Sequence, residues 1–352
     1  MSEVRAAVAV VTVVLCLLSG VGVASAAPKV GSPCAKVGKT VTTAKWVYTC
    51  RKKKGQGKVW VRKPRPNPTA ANDGEIGSLA FAATVGEERP APPGAVGLGP
   101  WATSMVLSEG TEGTPFSAGR SIIDQAGVPN VLSLPDGRLL AYFVSWAQGN
   151  VMAVGVRDDA GWKFYRLAVE GHVISPGGAN GVDPSAVILA DGSIRLFWMQ
   201  PGSAKGASQV YSATSAPGSA LGVRFVADHG ARLDVGEMLF DPTAAYCGGQ
   251  WFLWANASGR TVFATSGDGL NFAESSVPPG LGEAFPWSAT CLPDNRVRLL
   301  ASVGDDAGAS FVGDLSGFVS IGESVLPSGA LPDAGMARLK DGRWVLAYLE
   351  RI

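Results

Sequence analysis

Residues 182–198 have the sequence VDPSAVILADGSIRLFW, and this stretch decides the fold. A short apolar run leads into Asp191-Gly192, a dipeptide typical of a tight turn between two antiparallel strands. The run that follows, from Ile194 to Trp198, alternates apolar and polar side chains before it ends in two aromatic residues. The stretch therefore predicts a β-hairpin.

The same hairpin pattern occurs five times along the chain, and successive turns are 55, 57, 46 and 47 residues apart. A repeat of about 40 to 50 residues that is built from hairpins is the signature of a β-propeller, in which each repeat forms one blade. The sequence therefore predicts an all-β, five-bladed β-propeller, with six blades as the alternative. The five turns lie at Asp136-Gly137, Asp191-Gly192, Gly248-Gly249, Asp294-Asn295 and Asp341-Gly342.

The fifth repeat ends at Ile352, before any outer strands of its blade. An unpaired sheet edge is a template for association with other chains, so another segment has to cover it. The strand-like stretches Leu79 to Val85 and Ala102 to Ser108 precede the first repeat. We expect these N-terminal strands to complete the last blade and to close the ring, within a propeller that spans residues 76–352.

The first 26 residues predict a signal peptide. Ala6 to Leu18 is an unbroken apolar stretch, and Ala24-Ser25-Ala26 is a typical small-residue cleavage site. An uncleaved membrane anchor is the alternative. We therefore expect a secreted, extracellular protein that can associate with the cell wall. Residues 63–75 are interpreted as an extended, proline-rich linker.

Export gives the four remaining cysteines an oxidising environment. Cys34 and Cys50 lie in one short module, residues 28–62, and are the most direct pair. So short a segment buries little core, and a disulfide that staples a β-hairpin compensates for this. Cys247 and Cys291 have nearly equivalent positions in the third and fourth repeats. They either bridge neighbouring inner strands or are two buried free thiols.

The charges of the chain are divided between two regions of opposite sign. Residues 28–66 carry a net charge of +12 without any acidic residue, whereas residues 67–352 carry −11. A basic segment of this kind is typical of a protein that meets a polyanion. A solvated appendage without a partner is the alternative. Nucleic acid is not expected as a partner of an exported protein, and we expect a monomer. The lysines predicted to contact an anionic cell envelope are Lys52, Lys53, Lys54 and Lys58.

Two motifs resemble segments of known families. Residues 266–272, SGDGLNF, resemble the Asp-box turn of sialidase-like propellers, shortened by one residue before the aromatic. The resemblance implies that Asp268 closes a turn between outer strands and has no catalytic role. The N-terminal module, with Gly31-Ser32-Pro33-Cys34 and Tyr48-Thr49-Cys50, is similar to a short Cys-pair module of secreted bacterial proteins. That similarity implies no particular activity.

The repeat also aligns a set of acidic residues. Eight positions before each turn residue or its counterpart, three of the five repeats carry a carboxylate. In this register the acids converge on one end of the central channel, where Glu237 and Glu283 could reach them. An Asp at the start of an inner strand can instead bind backbone N–H groups of the neighbouring blade. The five equivalent positions are Val128, Asp183, Asp241, Pro286 and Asp333.

Val182-Asp183-Pro184-Ser185 and Phe240-Asp241-Pro242-Thr243 resemble the Asp-Pro-Ser signature of five-bladed glycosidases of the arabinanase and xylosidase type. The resemblance implies a sugar surrounded by two Asp and one Glu. One carboxylate activates water and a Glu protonates the leaving oxygen. Val128 departs from the pattern, because many such enzymes carry their base at that position. The implied roles are Asp183 as base, Asp241 as the residue that tunes the acid, Glu283 as general acid and Glu237 as its alternative.

Two functions are therefore predicted. One is an exported, glycoside hydrolase-like propeller that acts on or binds a polysaccharide; the other is a non-catalytic propeller that binds glycan or protein at the cell surface. True sialidase activity is not predicted, since the chain has no Arg-Ile-Pro string. Only His172 and His229 are present, which excludes a multi-histidine metal site, and no cofactor is predicted, although a channel Ca²⁺ bound by Asp and carbonyl oxygens stays open. The tryptophans that either stack on sugars or belong to the core are Trp101, Trp146, Trp198, Trp251, Trp254 and Trp287.

Overall fold

The computed structural model describes residues 28–35, 40–42, 46–64, 76–84, 98–111, 115–172, 181–201, 206–215, 222–322 and 324–352. The chain divides into two compact units, Met1–Arg65 and Pro66–Ile352. The predicted signal peptide lies outside the described residues, as does the predicted linker apart from residues 63–64. No helix within these ranges is long and apolar enough to cross a membrane.

The first unit contains a three-stranded antiparallel sheet. Its strands are β1 (Thr40–Thr42), β2 (Trp46–Lys53) and β3 (Gly57–Pro64), in the order β1-β2-β3. The predicted hairpin forms between β2 and β3, and β1 adds a strand that was not predicted. The predicted disulfide between Cys34 and Cys50 is confirmed, with 5.9 Å between the Cα atoms. Tyr48 and Trp60 pack beside this bond and form the small core.

The second unit consists of five sheets, and the predicted five-bladed propeller is confirmed. Its strands in chain order are β4 (Ala80–Phe81), β5 (Thr103–Gly110), β6 (Arg120–Asp124), β7 (Ala126–Ser133), β8 (Leu139–Ser145), β9 (Val151–Asp158), β10 (Gly161–Arg166), β11 (Ala168–Glu170), β12 (Val182–Ile188), β13 (Ile194–Pro201), β14 (Ser208–Ser215), β15 (Arg224–Ala227), β16 (Phe240–Cys247), β17 (Gln250–Ala257), β18 (Arg260–Ser266), β19 (Ala273–Ser275), β20 (Phe285–Cys291), β21 (Val297–Val303), β22 (Asp306–Asp314), β23 (Gly317–Ser320), β24 (Leu331–Arg338) and β25 (Trp344–Arg351).

Each blade begins with an inner strand beside the channel. The first four blades start with β7, β12, β16 and β20, and each adds the next three strands of the chain in antiparallel order. The inner strands contact one another around the ring, and β24 of the fifth blade lies between β20 and β7. Apolar side chains of adjacent blades pack together and form the core, as Tyr142 of β8 does with Phe225 of β15.

N-terminal strands close the ring, as predicted. The fifth blade has the order β24-β25-β5-β6, so that β5 and β6 supply the outer strands which the C-terminal end lacks. One predicted segment is elsewhere: Ala80–Phe81, within Leu79 to Val85, pairs with β10 at the outer edge of the first blade. The reason is packing, because the Phe81 ring lies against Phe164 of β10 at a centroid distance of 6.1 Å. The six-blade alternative is wrong.

An ion-pair cluster also links the fifth blade to the first. Glu109 of β5 accepts hydrogen bonds through Oε1 from both terminal nitrogens of Arg157 on β9, each at 3.0 Å. Its Oε2 accepts a hydrogen bond of 2.6 Å from Nη1 of Arg343, in the hairpin turn before β25. The side-chain carboxylate of Glu109 therefore links the first blade to the C-terminal strands of the fifth blade.

A β-bulge interrupts the pairing near the start of every inner strand. Four of the five aligned positions have a left-handed backbone, with φ of 49° at Val128, 57° at Asp183, 49° at Asp241 and 68° at Asp333. Pro286 is the exception, because the proline ring fixes φ at a negative value. Asp adopts the left-handed region more readily than most residues, whereas a β-branched residue such as Val128 does so only under strain.

Short polar side chains just after these bulges connect neighbouring blades. Oδ1 of Asn130 accepts the backbone N–H of Ala186 on the second blade at 3.0 Å. The same device recurs around the ring, and the fifth blade instead has Gly335, where a Cβ would lie 2.6 Å from the Pro129 carbonyl oxygen. The remaining bonds are Ala244 N–H to Ser185 Oγ (3.1 Å), Thr243 Oγ1 to the Pro286 carbonyl (3.1 Å) and Met336 N–H to Ser288 Oγ (3.0 Å).

A second disulfide joins the third and fourth blades. Cys247 and Cys291 are the last residues of β16 and β20, and their Cα atoms are 5.2 Å apart. The free-thiol alternative is therefore wrong. The bond lies at the end of the inner strands opposite Asp241, which is near the start of β16. Both disulfides are consistent with an extracellular protein.

The turn between β18 and β19 is closed by one carboxylate. Oδ1 of Asp268 accepts the backbone N–H groups of Leu270 at 2.8 Å and Asn271 at 2.9 Å. These bonds lower the pKa of Asp268 far below its ordinary value. Phe272 then packs edge-on against Phe197 of the second blade, with ring centroids 6.0 Å apart. Membership of the Asp-box family stays a prediction.

Candidate functional site

Three carboxylates meet at the end of the channel where the inner strands begin. Asp183 and Asp241 are the second residues of β12 and β16, and Asp333 is the third residue of β24. A bulge re-aims the side chain that it carries, and bulges commonly lie beside active sites. The structure brings the three predicted Asp residues together on the second, third and fifth blades. We call the opening around them the acid mouth.

The carboxylates lie close together but accept few hydrogen bonds. The backbone N–H of Asp241 points at Oδ2 of Asp183 across 3.5 Å. Nδ2 of Asn256, on β17, lies 3.5 Å from Oδ2 of Asp241. Asn256 is 7% exposed, and its Oδ1 has no hydrogen-bond partner among the described residues. Two long bonds are weak compensation for the buried carboxylate of Asp183 and the partly buried one of Asp241.

Burial raises the pKa values of all three carboxyl groups, and repulsion by neighbouring carboxylates adds to the effect at Asp183 and Asp333. Burial is the main cause for Asp183, and the charge of Asp241 adds to it, so that the pKa of Asp183 rises to about 8. Burial raises the pKa of Asp241 to about 6, against the opposing hydrogen bond from Asn256. Burial, followed by the charges of Asp241 and Asp183, raises the pKa of Asp333 well above its ordinary range. The group therefore holds protons at neutral pH.

The space between the acids is small. The pocket that Asp241 and Asp333 line has a volume of about 10 Å³, close to the room that one water molecule needs. Val128, Pro184 and Trp287 contribute to its walls. The other end of the channel holds a cavity of about 360 Å³, lined by the last residues of the inner strands, including Cys291. The acids thus close a narrow end of the channel while the opposite end stays wide.

The two glutamates have different surroundings from the aspartates. Glu237 precedes β16 and pairs with Arg260 on β18, with 2.7 Å between Oε1 and Nη2. Glu283 is exposed in the turn before β20. Val128 and Pro286, at the equivalent positions of the first and fourth blades, carry no ionisable side chain. The catalytic roles assigned to four of these acids, and the place of Asp333 in the site, stay predictions.

The structure separates the six tryptophans into two groups. Trp198, Trp251 and Trp254 are at most 3% exposed and belong to the core. Trp101, Trp146 and Trp287 are only partly buried. Trp287 lines the pocket beside Asp241, and its indole N–H donates to Oγ of Ser302 at 2.9 Å. Only this second group has ring surface available to a ligand.

Two features of the site were missed in the sequence. The Ser and Thr of the Asp-Pro-Ser and Asp-Pro-Thr segments, Ser185 and Thr243, link blades instead of facing a ligand. Asn256 touches Asp241 from the neighbouring strand, and no spacing in the sequence indicates that contact. The Pro after Asp183 and Asp241 gave no signal for their left-handed backbone, because a residue before proline favours an extended conformation with negative φ.

No group of three or more His, Cys, Asp or Glu side chains within the described ranges is arranged to hold a metal ion. A channel Ca²⁺ bound by Asp and carbonyl oxygens stays a prediction.

No family model and no curated protein matches the chain. Solved structures do match. A protein of unknown function from Dyadobacter fermentans is 14% identical, with a TM-score of 0.48 over 68% of this chain and 82% of that chain. A thermostable family-43 glycoside hydrolase is 14% identical, with a TM-score of 0.45 over 64% and 88% of the two chains. Zg3597, a family 117 glycoside hydrolase from Zobellia galactanivorans, is 14% identical, with a TM-score of 0.43 over 64% and 84%. These identities carry neither activity nor substrate over to this chain.

Proposed function

We propose that this protein is a secreted, glycan-acting propeller that hydrolyses a glycosidic bond at the acid mouth. The observation that supports the proposal is the crowding of Asp183, Asp241 and Asp333, which separates their pKa values. Hydrolysis of a glycoside needs one carboxylate that accepts a proton and one carboxyl group that donates a proton. Groups whose surroundings drive their pKa values apart are suited to these two roles.

The pKa order suggests how the roles divide. Near pH 7, Asp241 is ionised and can accept a proton from the attacking water, while the water oxygen bonds to the anomeric carbon. Asp183 still holds its proton and can donate it to the glycosidic oxygen as the carbon–oxygen bond breaks. This order differs from the one implied by the family resemblance, in which Asp183 is the base and Glu283 the acid. Glu283 and Glu237 stay alternatives for the acid.

A non-catalytic glycan-binding propeller is the second candidate. The observation that favours it is the volume between the acids, about 10 Å³, which is far too small for a sugar ring. In that case a glycan lies across the acid mouth, and the aspartates bind its hydroxyl groups without cleaving it.

Reducing-end release from a panel of neutral polysaccharides tests the proposal. We expect release by the wild-type protein and a loss of about 100-fold or more in Asp183→Asn and in Asp241→Asn. Asp191→Asn is the matched control, because Asp191 lies in the exposed turn that follows β12. Equal release by wild type and Asp183→Asn contradicts the assignment. Binding without release by the wild type selects the second candidate.

We also propose that the N-terminal module contacts an anionic polymer of the cell envelope. Residues 51–58, at the tip of the β2–β3 hairpin, are all exposed. Lys52 lies directly opposite Lys58 in the strand register, and like charges in this position destabilise a hairpin unless an anion lies between them. Replacing Lys52, Lys53, Lys54 and Lys58 by Gln should abolish low-salt binding to isolated cell walls. Unchanged binding contradicts the proposal.

A further inference from the structure

An aromatic pair lies where the fifth blade meets the first, because Trp101 precedes β5 and Trp146 follows β8. The rings of Trp101 and Trp146 meet edge to face, with centroids 5.5 Å apart and planes at 68°. Both residues are partly exposed, unlike the core tryptophans of the second and third blades. In an edge-to-face pair, one indole supports the other while ring surface stays available to a ligand.

Separate chain segments build this pair. Trp101 lies in a single 3₁₀ turn, Pro100–Ala102, just before β5. A Cβ at Gly99 would overlap the Trp101 indole, so glycine is needed for the ring to fold back over the chain. Trp146 follows β8, and its backbone N–H donates to the Gln125 carbonyl oxygen at 2.8 Å. The two rings are thus carried by two separate segments of the chain.

The pair lies at the same end of the propeller as the acid mouth, since Ser145, next to Trp146, pairs with Ala126 at the start of β7. Pro100, next to Trp101, packs against Gly127, where a Cβ would come within 3.1 Å of the proline ring. Gly127 precedes Val128, which lines the same pocket as Asp241 and Asp333. The aromatic surface therefore lies in the sector where the inner strand of the first blade carries Val128 instead of a carboxylate. The second, third and fifth blades supply the acids.

Charge restricts what can lie across this opening. Asp241 and Asp333 line the pocket, Asp183 lies against Asp241, and none of the described residues that line the pocket is cationic. A carboxylate on the ligand would be repelled by Asp241 and left without a counter-charge. A neutral sugar instead offers an apolar C–H face to an indole ring and hydroxyl groups to carboxyl oxygens.

We infer that Trp101 and Trp146 form a stacking subsite for a neutral sugar residue of a glycan chain, next to the residue at the acids. This inference rests on one part of the proposed function, namely that a glycan binds at the acid mouth, and does not require hydrolysis. The ligand class is a neutral oligosaccharide or polysaccharide, in contrast to uronate- or sialate-containing chains.

Calorimetric titration tests the inference on the full chain, with Asp183→Asn as background so that hydrolysis does not consume the ligand. The probes are neutral hexasaccharides of xylose, arabinose, mannose and galactose, and a galacturonate hexamer as the acidic counterpart. We expect a neutral probe to bind more tightly than the acidic one. Trp101→Ala and Trp146→Ala should each weaken that binding by about tenfold or more, and Trp146→Tyr should restore most of it.

Trp162→Ala is the matched control. Trp162 is also partly buried and stacks on Phe164, but it lies on the outer strand β10. Its removal should leave binding unchanged. The inference is overturned if no neutral probe binds, if the acidic hexamer binds best, or if Trp162→Ala weakens binding as much as Trp146→Ala does. If the protein binds the glycan but does not hydrolyse it, the proposed function is contradicted and this inference is not. The two experiments therefore distinguish the two proposals.

Discussion

The backbone N–H of Asp241 points at Oδ2 of Asp183 from the neighbouring blade across 3.5 Å. Each of these residues has a left-handed backbone in a bulge of its own inner strand. The contact therefore depends on two bulges with the same geometry in adjacent blades. It draws two carboxyl groups together where few donors are present to stabilise their ionised forms.

The stability of the fold should decrease as these carboxyl groups ionise. The ordinary pKa of an Asp carboxyl is 3.8, and that of Asp183 in the folded protein is about 8. Between these values the folded state binds a proton that the unfolded chain releases, so the free energy of unfolding falls as pH rises. The slope is at most about 1.4 kcal/mol per pH unit for one such group. Asp183→Asn should abolish this decrease in the free energy of unfolding with rising pH, because Asn does not ionise.

Urea unfolding at pH 5 and pH 8 measures the effect. Wild type should lose stability relative to Asp183→Asn as the pH rises. Asp268→Asn is the control, because backbone N–H groups of Asn271 and Leu270 lower the pKa of Asp268, and the stabilisation from Asp268 is lost only as pH falls towards that value. Its effect should be the same at both pH values. A stability difference between wild type and Asp183→Asn that does not change with pH contradicts the account of the acid mouth.

Val128 carries backbone strain that its counterparts avoid. Its φ of 49° is unfavourable for a β-branched residue and tolerable for Asn. Val128→Asn should therefore raise the free energy of unfolding by about 1 kcal/mol, measured by urea denaturation. Val226→Asn, at an exposed strand position with ordinary backbone, should bring no gain. A loss of stability in Val128→Asn would show that the Val128 side chain contributes more by packing than it costs in strain.

Ser288 links the fourth and fifth blades. Its Oγ accepts the Met336 N–H at 3.0 Å and donates to the Met336 carbonyl at 3.3 Å, and the residue is 2% exposed. Ser288→Ala leaves that buried N–H without this acceptor, which should lower the free energy of unfolding by about 1–3 kcal/mol. Amide exchange at Met336 should also accelerate. Ser275→Ala, on an exposed outer strand, should change neither quantity. Unaltered exchange at Met336 in Ser288→Ala rules out the linking role.

The sequence predicted the features that repeat. The Asp-Gly turns identified the hairpins, and counting back from them aligned Val128, Asp183, Asp241 and Asp333, which share one backbone conformation. The turn signal is local, because Asp and Gly suit tight turns wherever they occur. Alignment of the five repeats then predicted which residues occupy equivalent positions in the five blades.

Features that depend on contacts between blades were not predictable in this way. Ala80–Phe81 is only two residues long, so its pairing with β10 follows from packing on Phe164 and not from strand propensity. The links made by Ser185 and Ser288 join residues that are 59 and 48 positions apart in sequence. Trp101 and Trp146 are partly exposed because they lie just outside strand ends, whereas Trp254 is buried within β17.

A carboxyl titration by ¹³C NMR tests the central claim most directly. Aspartate labelled at Cγ is observed from pH 3 to pH 10, and Asp183→Asn, Asp241→Asn and Asp333→Asn assign the three signals. We expect at least one of these carboxyl groups to stay protonated at pH 7, and the midpoints of the other two to shift when one member is replaced. Ionisation of all three near pH 4, unaffected by the replacements, would contradict the claim that they act as one coupled group.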